Sequence, residues 1–508
     1  MHDETSPGMT LIELKRAGVA GVIHGDEHRR VTGVQHDSRR VERGDLFVAI
    51  PGEMYDGSKF VDDALGHGAV AVMAETKLPH EVPQVTVDDA RRALGRAAEL
   101  VYGSPSATLR TIGITGTNGK TTTAYLLKQA IESVGEKAAL IGTTGLAVGT
   151  VESPSLHTTP EGDDISRFAR HSLEQGATHM VLEVSSHGLA RRRVDALDFD
   201  VAAFTNLSRD HMDFHGTFEA YGEAKARLFT ELQPRCSVIH VDDRFGAELA
   251  DRIEGRVLRC SRQQDSDAEI RAVRWSADRQ GVRALVETPA GPVAIESPML
   301  GEHNLENLLV ALGCAYALGL PLDDVKTAWT RAAGSPGRLE RIPHPRDVAV
   351  LIDYAHTPDA LRRALCTMRA ITPKRLVAVF GAGGDRDRGK RPQMARVGVE
   401  HADVCVLTSD NPRTEDPSKI LEEVAAGARS AGAKEIQLDE LRKAGRGFCI
   451  VLDRRTAIAS AIEAATAGDT VLVAGKGHED YQIVGTERIH FDDREEARAA
   501  IASLGGAL

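Results

Sequence analysis

Short apolar runs, each followed by a turn or a helical pattern, recur along most of this sequence. The last third of the chain contains the runs VAVLIDYAH, RLVAVFGAGGD, DVCVLTSDN, FCIVLD and DTVLVAGKGHE. Apolar strands that alternate with helices are typical of a parallel sheet with helices on its faces. Ligands bind at the carboxyl ends of such strands, so we expect functional residues in the turns that follow these runs.

The 508 residues are too many for one core, and turn-rich stretches divide them into three blocks of an α/β protein. Residues 1–104 alternate short apolar runs with turns, which predicts a small mixed α/β N-terminal domain. Residues 105–336 open with the strand RTIGIT near the Ser-, Pro- and Gly-containing stretch VYGSPSATLR, and predict a central P-loop ATPase-like domain with a parallel sheet. Residues 337–508 predict a Rossmann-like, doubly wound C-terminal domain.

Charge and composition argue against several classes of function. The chain has 62 Lys and Arg against 74 Asp and Glu, and its net charge of −12 argues against nucleic acid or an anionic membrane as a partner. We expect no signal peptide, and no apolar run approaches the roughly 18 residues of a membrane span. The six cysteines form no C-x-x-C pair, so we expect reduced thiols in a cytoplasmic protein.

The strongest local motif is GITGTNGKTTTAYLLKQAI, in which a strand, a Gly-rich turn and a helical pattern follow one another. Gly116 and Gly119 allow a tight turn whose N–H groups can face an anion. Lys120 can reach the β- and γ-phosphates of a nucleotide, and the Thr121 hydroxyl can ligate Mg²⁺. A strict P-loop has Gly where Ile114 stands, and a turn without a ligand is the alternative. The order of the parts favours nucleotide binding.

Further polar residues follow strands of the same block. Glu183 lies near the end of the strand in VLEVSSHG, where a carboxylate can hold Mg²⁺, although a solvent-exposed strand end explains it equally well. The segment NLSRDHMDFHG forms a polar loop ahead of a helix and contains Asp210, His211, Asp213 and His215. Lys225 falls within that helix, and its position alone predicts an ordinary surface lysine.

Taken together, the motifs resemble those of the Mur ligases, the ATP-dependent amide-forming enzymes that build the peptidoglycan stem peptide. The resemblance covers nearly the whole chain. It rests on these segments, in this order: HDSRRVERGDLFVAIPG, TGTNGKTTT, HTTP, EVSSHGL, NLSRDHMDFHG with AKARLF, GEHNLENLLVAL, PGRLE, DYAHTP, GAGGDRDRGKRP, DNPRTEDP and AGKGHEDYQ.

The resemblance implies binding residues in all three blocks. A UDP-sugar would contact Ser38 and the segment Glu53–Tyr55 near its uracil. The residues implied in ATP binding are Gly116, Thr117, Asn118, Gly119, Lys120, Thr121, Thr122, Asn307, Arg338, Asp353 and His356. Those implied in binding the muramoyl dipeptide are Thr158, Thr159, Ser185, Arg191 and Arg193. His157 and Arg191 depart from the family pattern, which has Asn and, in at least one well-known case, Gln at these positions.

The resemblance also implies a catalytic and metal-binding set. Lys120, Glu183, His211 and Lys225 would be catalytic, and Thr121, Glu183, His211 and Lys225 would hold Mg²⁺. Lys225 matches the lysine that the family carbamylates, and carbamylation would turn its ammonium into a carboxylate-like group. The implied reaction joins meso-2,6-diaminopimelate to the D-glutamate side chain of UDP-N-acetylmuramoyl-L-alanyl-D-glutamate through an acyl phosphate formed from ATP. We expect the protein to be a monomer.

The choice of amino acid is expected to depend on TSDNPRTEDP, residues 408–417, which links a predicted strand to a predicted helix. Turn chemistry accounts for Asp410, Asn411 and Pro412 but leaves Arg413 unexplained. A guanidinium fork suits the second carboxylate of diaminopimelate, which L-lysine lacks. By resemblance, DNPR marks the diaminopimelate-adding branch, and the pocket is completed by Arg386, Gly475 and Glu479.

Three alternatives stay open at this point. An L-lysine-adding sister ligase would differ mainly in the loop at residues 408–417. A ligase that adds glutamate to folate would have a phosphate loop resembling G-K-G-S and no UDP-binding first block. A P-loop switch or motor ATPase would hydrolyse ATP without requiring an amino acid and a UDP-sugar peptide.

Overall fold

A computed structural model of the protein describes residues 8–52, 56–149, 151–153, 155, 157–332 and 334–505. The segment Glu53–Tyr55, expected near the uracil, lies outside these residues. The chain divides into two compact units. The first contains the residues up to 274 together with 285–294 and 306–329, and the second contains 275–284, 295–305 and the residues from 330 onward. Among the described residues, no helix has the length and apolar composition needed to cross a membrane.

Residues 9–101 form a small α/β layer in the first unit. Its elements are β1 (Met9–Thr10), α1 (Leu11–Arg16), β2 (Val22–His24), β3 (Arg30–Val31), β4 (Gly33–Gln35), β5 (Asp45–Val48), α2 (Val61–His67), β6 (Ala71–Ala74), β7 (Gln84–Thr86) and α3 (Ala90–Val101). The main sheet has the order β2-β7-β6-β5-β4, with β2 antiparallel and the others parallel. The predicted mixed α/β texture of this region is confirmed.

The segment from residue 105 to residue 329 contains an eleven-stranded sheet. Its elements are α4 (Pro105–Thr108), β8 (Arg110–Thr115), α5 (Lys120–Ser133), β9 (Ala138–Gly142), β10 (Gly145–Val148), β11 (Val151–Ser153), α6 (Gly162–Glu174), β12 (His179–Glu183), α7 (Ser186–Ala190), β13 (Val201–Phe204), α8 (Met212–His215), α9 (Phe218–Thr230), β14 (Cys236–His240), α10 (Arg244–Arg252), β15 (Val257–Ser261), β16 (Ile270–Asp278), β17 (Gly281–Glu287), β18 (Val293–Ser297), α11 (Glu302–Leu318) and α12 (Leu322–Trp329).

The strands of this sheet have the order β11-β10-β9-β12-β8-β13-β14-β15-β16-β17-β18. From β9 to β16 all neighbours are parallel, which confirms the predicted parallel sheet. The antiparallel pairs of β10 with β9 and with β11 were not predicted. The loops after β8, β9 and β12 leave the same edge, because parallel strands share the direction of their carboxyl ends.

Residues 340–505 form the third α/β layer, in the second unit. Its elements are β19 (Glu340–Ile342), β20 (Ala349–Asp353), α13 (Pro358–Ile371), β21 (Leu376–Phe380), α14 (Lys390–His401), β22 (Val404–Thr408), α15 (Pro417–Ser430), β23 (Gly447–Val451), α16 (Arg454–Ala464), β24 (Thr470–Ala474), β25 (Tyr481–Val484), β26 (Glu487–His490) and α17 (Asp493–Gly505). The sheet order β19-β20-β24-β21-β22-β23 is parallel except for β19, so the predicted doubly wound sheet is confirmed. The predicted domain boundaries stay predictions.

Charged residues join the N-terminal layer to the central sheet within the first unit. The backbone N–H of His36 donates to Asp163 Oδ2 over 3.1 Å, and its Nδ1 lies 2.8 Å from the same oxygen. Asp163 is fully buried. Nearby, Arg167 Nη2 donates to the carbonyl oxygen of Val34 over 2.6 Å. These bonds span more than a hundred residues of sequence and dock the two layers through polar contacts.

We expect the pH dependence of unfolding to report on His36. Burial lowers its pKa, but the bond and the charge of Asp163 outweigh burial and raise the pKa above its ordinary value of 6.5. A group with a raised folded pKa stabilises the fold fully below its unfolded pKa, and that contribution is lost as the pH rises through the folded pKa. The free energy of unfolding, measured with denaturant, should therefore be lower at about pH 8.5 than at about pH 6. His36→Gln should make this difference smaller.

The exposed His28 supplies the matched control, because its side chain is 78% accessible. His28→Gln should keep the wild-type pH dependence. An unchanged pH dependence in His36→Gln would contradict the assignment of this titration to the pair of His36 and Asp163.

Candidate active site

The predicted phosphate loop lies between β8 and α5, with strand, loop and helix in the expected order. Gly116 and Gly119 have φ angles of 145° and 88°, in the region that favours glycine. A Cβ on Gly116 would lie 1.9 Å from Thr205 Oγ1, and one on Gly119 would lie 2.2 Å from Asn307 Oδ1. Both conformation and space therefore require glycine, and Asn307 lies beside the loop.

Lys120 begins α5 and folds back over the loop. Its Nζ donates to the carbonyl oxygens of Gly116 and Thr117, each over 2.9 Å. Thr205 Oγ1 donates to the carbonyl oxygen of Asn118 over 2.6 Å, which fixes the turn from the neighbouring strand. The ammonium thus lies over a helix N-terminus, where a bound phosphate would also meet the positive end of the helix dipole.

Glu183 ends β12 as predicted, and it is buried rather than solvent-exposed, with 1% of its surface accessible. Its Oε2 accepts from Thr121 Oγ1 over 2.9 Å, and its Oε1 accepts from the backbone N–H of Thr143 over 2.9 Å. The hydroxyls of Thr143 and Thr158 lie 3.1 Å apart. A buried carboxylate therefore connects the phosphate loop to the predicted substrate residue Thr158.

The carboxylate of Glu183 and the hydroxyl of Thr121 fit Mg²⁺, because this small hard ion prefers oxygen ligands. His211 fits the ion less well, since it offers nitrogen and its side chain is 48% accessible. His211 has a φ of 53°, and its backbone N–H donates to Asp210 Oδ1 over 2.9 Å. Its ring lies 4.7 Å from that of His187, centroid to centroid.

Lys225 is the residue for which position in the sequence gave the wrong prediction. It lies on α9 and only 1% of it is accessible, so it is not a surface lysine. Its Nζ donates to the carbonyl oxygen of Gly116 over 2.7 Å and lies 4.6 Å from the centroid of the Tyr221 ring. Burial, reinforced by the charge of Lys120, lowers the pKa of Lys225 well below its ordinary value.

The predicted dipeptide residues lie together beside Glu183. Thr159 Oγ1 donates to the carbonyl oxygen of Glu183 over 2.8 Å and accepts from the backbone N–H of Ser185 over 2.9 Å. Arg193 is buried, and its Nη1 donates to the carbonyl oxygen of Thr159 over 2.8 Å. Glu161 Oε1 accepts from Arg193 Nε over 3.0 Å, so this guanidinium is held in a fixed orientation.

A cleft of about 750 Å³ lies between the N-terminal layer and the end of α7. Pro51 and Gly52 line one side of it, and Arg191 and Arg192 line the other. The Arg191 guanidinium lies 5.4 Å from the centroid of the Phe214 ring. Ser38 is buried in the turn that follows β4.

The remaining residues implied in ATP binding belong to the second unit. Asp353 ends β20 and accepts from the backbone N–H groups of Leu339 and Ala355, each over 2.9 Å. Burial raises its pKa against the opposing charge of Arg338. The Arg338 guanidinium lies 4.9 Å from the centroid of the Tyr354 ring. His356 Nδ1 lies 2.9 Å from the carbonyl oxygen of Tyr354, so the three predicted residues lie around one strand end.

The loop at residues 409–416 joins β22 to α15, as predicted, and Asp416 caps the helix by accepting from the backbone N–H of Ser418. Arg413 adopts a φ of 51°, which is uncommon for a residue with a side chain. Its Nη1 donates to the carbonyl oxygen of Gly384 over 2.8 Å. Pro412 is buried before it.

The other predicted amino-acid contacts surround this loop. Asn411 Nδ2 donates to Glu479 Oε2 over 3.1 Å, and a Cβ on Gly475 would lie 3.6 Å from Asp410 Oδ2. Arg386 Nη1 donates to the carbonyl oxygen of Asp385 over 3.0 Å. Residues that follow β21, β22 and β24 thus meet at this loop. Burial raises the pKa of Glu479, and the charge of Arg413 opposes this shift.

Sequence reasoning missed several residues of the site. Thr143 follows β9 at the same sheet edge as the phosphate loop, so the strand-end rule could have identified it. Lys476 is completely buried, and its Nζ donates to Asn411 Oδ1 over 2.9 Å. Arg391 is also completely buried and bonds Glu415. The burial of these two cations depends on packing between distant segments, and the local sequence carries no signal for it.

Three parts of the chain match known protein-family models. Residues 30–102 match the catalytic domain of the Mur ligase family, residues 114–315 match the Mur ligase middle domain, and residues 337–477 match the glutamate ligase domain of Mur ligases. The matches follow the three α/β layers in order.

Curated relatives span nearly the whole chain. The UDP-N-acetylmuramoyl-L-alanyl-D-glutamate–2,6-diaminopimelate ligase of Geobacter sulfurreducens is 44% identical over 506 residues, covering 97% of this chain and 99% of the relative. The ligase of the same name from Geobacillus kaustophilus is 39% identical over 490 residues, covering 95% and 97%.

Solved structures show the same architecture. A structure of a UDP-N-acetylmuramoyl-L-alanyl-D-glutamate–2,6-diaminopimelate ligase is 36% identical, with a TM-score of 0.73 over 98% of this chain and 99% of that one. A MurF ligase from Thermotoga maritima, solved in complex with ADP, is 17% identical with a TM-score of 0.61, covering 94% of this chain and 99% of that one. The second likeness concerns the fold alone.

Proposed function

The chain belongs to the Mur ligase family, and we propose that it joins diaminopimelate to the D-glutamate side chain of UDP-N-acetylmuramoyl-L-alanyl-D-glutamate. It is an ATP-dependent ligase of peptidoglycan synthesis, of the diaminopimelate-adding kind, with the three-domain α/β fold of its family. The observation that carries the reaction chemistry is the convergence of Lys120, Lys225 and the buried Glu183 on one phosphate loop. Reduced thiols fit the proposed cytoplasmic location, and all six cysteines are free.

The reaction first makes the carboxylate electrophilic. A carboxylate oxygen of D-glutamate attacks the γ-phosphorus of ATP, ADP leaves, and an acyl phosphate forms. This step brings two anions together, and Lys120 with the loop N–H groups would stabilise the charge that spreads over the transferred phosphoryl group. The amine of diaminopimelate then attacks the acyl carbon, loses a proton, and expels phosphate as the amide forms.

We place the substrates on the residues described above. The phosphates of ATP would lie on Gly116–Thr122, with Asn307 as a further contact, and the roles of Arg338, Asp353 and His356 in ATP binding stay predictions. The UDP-sugar peptide would occupy the cleft lined by Arg191 and contact the residues Ser38, Thr158, Thr159, Ser185 and Arg193. Thr121 and Glu183 would hold Mg²⁺, together with His211 and a modified Lys225, and the ion would supply positive charge that lowers repulsion between the anions.

Isotope transfer tests the acyl phosphate. With ¹⁸O in the side-chain carboxylate of D-glutamate, one label should pass to the released inorganic phosphate. Attack by the amine breaks the bond between the acyl carbon and the bridging oxygen, so that oxygen leaves with phosphorus. Mass spectrometry of the phosphate reads the result, and phosphate without the label would contradict this route.

We expect Lys225→Ala to lose activity that short-chain carboxylates partly restore. The ammonium of Lys225 is buried beside Lys120, and a lowered pKa leaves more of the amine neutral and able to react with CO₂. Carbamylation would replace the Lys225 ammonium with a negative carbamate, which removes its repulsion with Lys120. An added carboxylate would occupy the space that the alanine variant leaves.

A high-resolution density map tests the modification directly, since the labile carbamate is easily lost during mass spectrometry. Density that continues past Nζ as a planar group is expected. Density that ends at an ordinary ammonium in a fully active preparation would rule out the modification, and an alanine variant of wild-type activity would rule out its role in the reaction.

A further inference from the structure

The loop that carries Arg413 is held in place by the buried ammonium of Lys476. Lys476 follows β24, and none of its surface is accessible. Its Nζ donates to Asn411 Oδ1 over 2.9 Å and to the carbonyl oxygen of Tyr481 over 2.7 Å, and it lies 3.4 Å from Asp410 Oδ1. One ammonium therefore connects the loop at residues 409–416 to the start of β25.

This cation fixes which way the Asn411 amide points. An ammonium can only donate hydrogen bonds, so the amide must present its oxygen to Lys476. The backbone N–H of Ile483 donates to the same oxygen over 3.0 Å. The Asn411 nitrogen is then left for Glu479, to which it donates over 3.1 Å. Lys476 thus sets the position of the Glu479 carboxylate through Asn411.

The charge state of the pocket depends on the same residue. Burial alone would raise the pKa of Asp410, but the charges of Lys476 and Arg454 outweigh burial and hold that pKa below its ordinary value. Burial raises the pKa of Glu479, and Lys476 opposes this shift. Removing the ammonium would therefore favour protonation of both carboxylates.

The hairpin of β25 and β26 holds the backbone of the loop. Gln482 Nε2 donates to the carbonyl oxygen of Asp410 over 2.6 Å. The backbone N–H of Arg413 donates to the carbonyl oxygen of Ile483 over 3.0 Å, and that of Gly485 donates to the carbonyl oxygen of Arg413 over 2.7 Å. These bonds hold Arg413 at its positive φ of 51°, which an arginine rarely adopts unaided.

We propose that Lys476 and Gln482 are positioning residues that set the affinity of the amino-acid pocket for its substrate. Their bonds hold the loop that carries Arg413, and they fix the carboxylates of Asp410 and, through Asn411, of Glu479. Such an arrangement matches an amino-acid head group, whose carboxylate pairs with the guanidinium and whose ammonium pairs with the carboxylates. The inference rests on the proposed function, because it takes diaminopimelate as the amino acid bound.

Lys476→Met and Gln482→Met test this role. Unsatisfied partners left in the pocket should raise the KM for diaminopimelate roughly 5- to 150-fold in Lys476→Met, with a smaller rise in Gln482→Met. The KM values for ATP and for the UDP-sugar peptide should stay within about twofold, a split that general loss of structure would not produce. Glu487→Gln is the matched control, because Glu487 is exposed on the same hairpin, and it should leave all three KM values unchanged.

The two variants keep the test decisive even if one does not fold. Gln482 is half-buried, and its replacement leaves every charge of the pocket in place, so Gln482→Met decides alone if Lys476→Met is unfolded. An unchanged KM for diaminopimelate, or an equal rise in all three KM values, would overturn the inference. Failure of the proposed function is a separate result, in which the wild-type protein releases no phosphate in response to diaminopimelate.

Discussion

Lys120→Ala is expected to abolish phosphate release while the chain stays folded. The Lys120 ammonium lies over the carbonyl oxygens of Gly116 and Thr117, where the transferred phosphoryl group would lie. Losing one preorganised donor to a developing anion costs about 2.7–4 kcal/mol, or roughly 100- to 1,000-fold in kcat. Phosphate release at saturating substrates measures the loss, and thermal unfolding measures whether the fold is retained.

The same helix supplies the control for this variant. Lys128 lies two turns further along α5, and its Nζ bonds Glu132 over 2.6 Å on the helix surface. Lys128→Ala should therefore keep wild-type turnover. A folded Lys120→Ala enzyme that turned over at the wild-type rate would show that the loop does not act on phosphate.

Arg413→Ala is expected to raise the KM for diaminopimelate sharply and to leave the KM for ATP nearly unchanged. Truncating one partner of a buried charge pair costs about 2–5 kcal/mol. Arginine and alanine both carry a Cβ, so the backbone at φ 51° is similarly strained in both, and the change tests the guanidinium itself. Initial rates at varied diaminopimelate and at varied ATP separate the two KM values.

The wild-type protein should also prefer diaminopimelate to L-lysine by a large factor. Sites built to pair a polar group reject analogues that lack it by a factor of about 10⁴–10⁵.

Arg429 supplies the control for Arg413→Ala, because it lies on α15 and pairs with the exposed residues Glu422 and Glu435. Arg429→Ala should keep the wild-type KM for diaminopimelate, and an unaltered KM in Arg413→Ala would refute this role of the guanidinium.

Local sequence patterns were sufficient to predict the buried parallel strands that carry most of the candidate site. The apolar runs became strands because burial on both faces of a parallel sheet requires continuous apolar sequence. The start of α5 at Lys120 and the cap of α15 at Asp416 follow from turn and capping rules that act within a few residues. The alternating pattern of β16 and β17 was also present in the sequence, although we did not predict these strands from it.

The parts that escaped prediction depend on contacts between distant segments. Lys225 bonds the carbonyl oxygen of Gly116, a residue 109 positions earlier, and nothing in its own helix indicates that it is buried. Lys476 bonds Asn411 across 65 positions in the same way. Only the family resemblance identified Lys225, and no sequence argument identified the role of Lys476. Burial of a cation is a property of the assembled packing, so periodicity does not reveal it.

The most direct test of the central claim is phosphate release with a panel of amino acids, in the presence of ATP, Mg²⁺ and UDP-N-acetylmuramoyl-L-alanyl-D-glutamate. We predict rapid release with meso-2,6-diaminopimelate, little with L-lysine, and none when the UDP-sugar peptide is omitted. Equal release with L-lysine would contradict the predicted selectivity for diaminopimelate. Release that needs neither the amino acid nor the peptide would contradict the ligase account altogether.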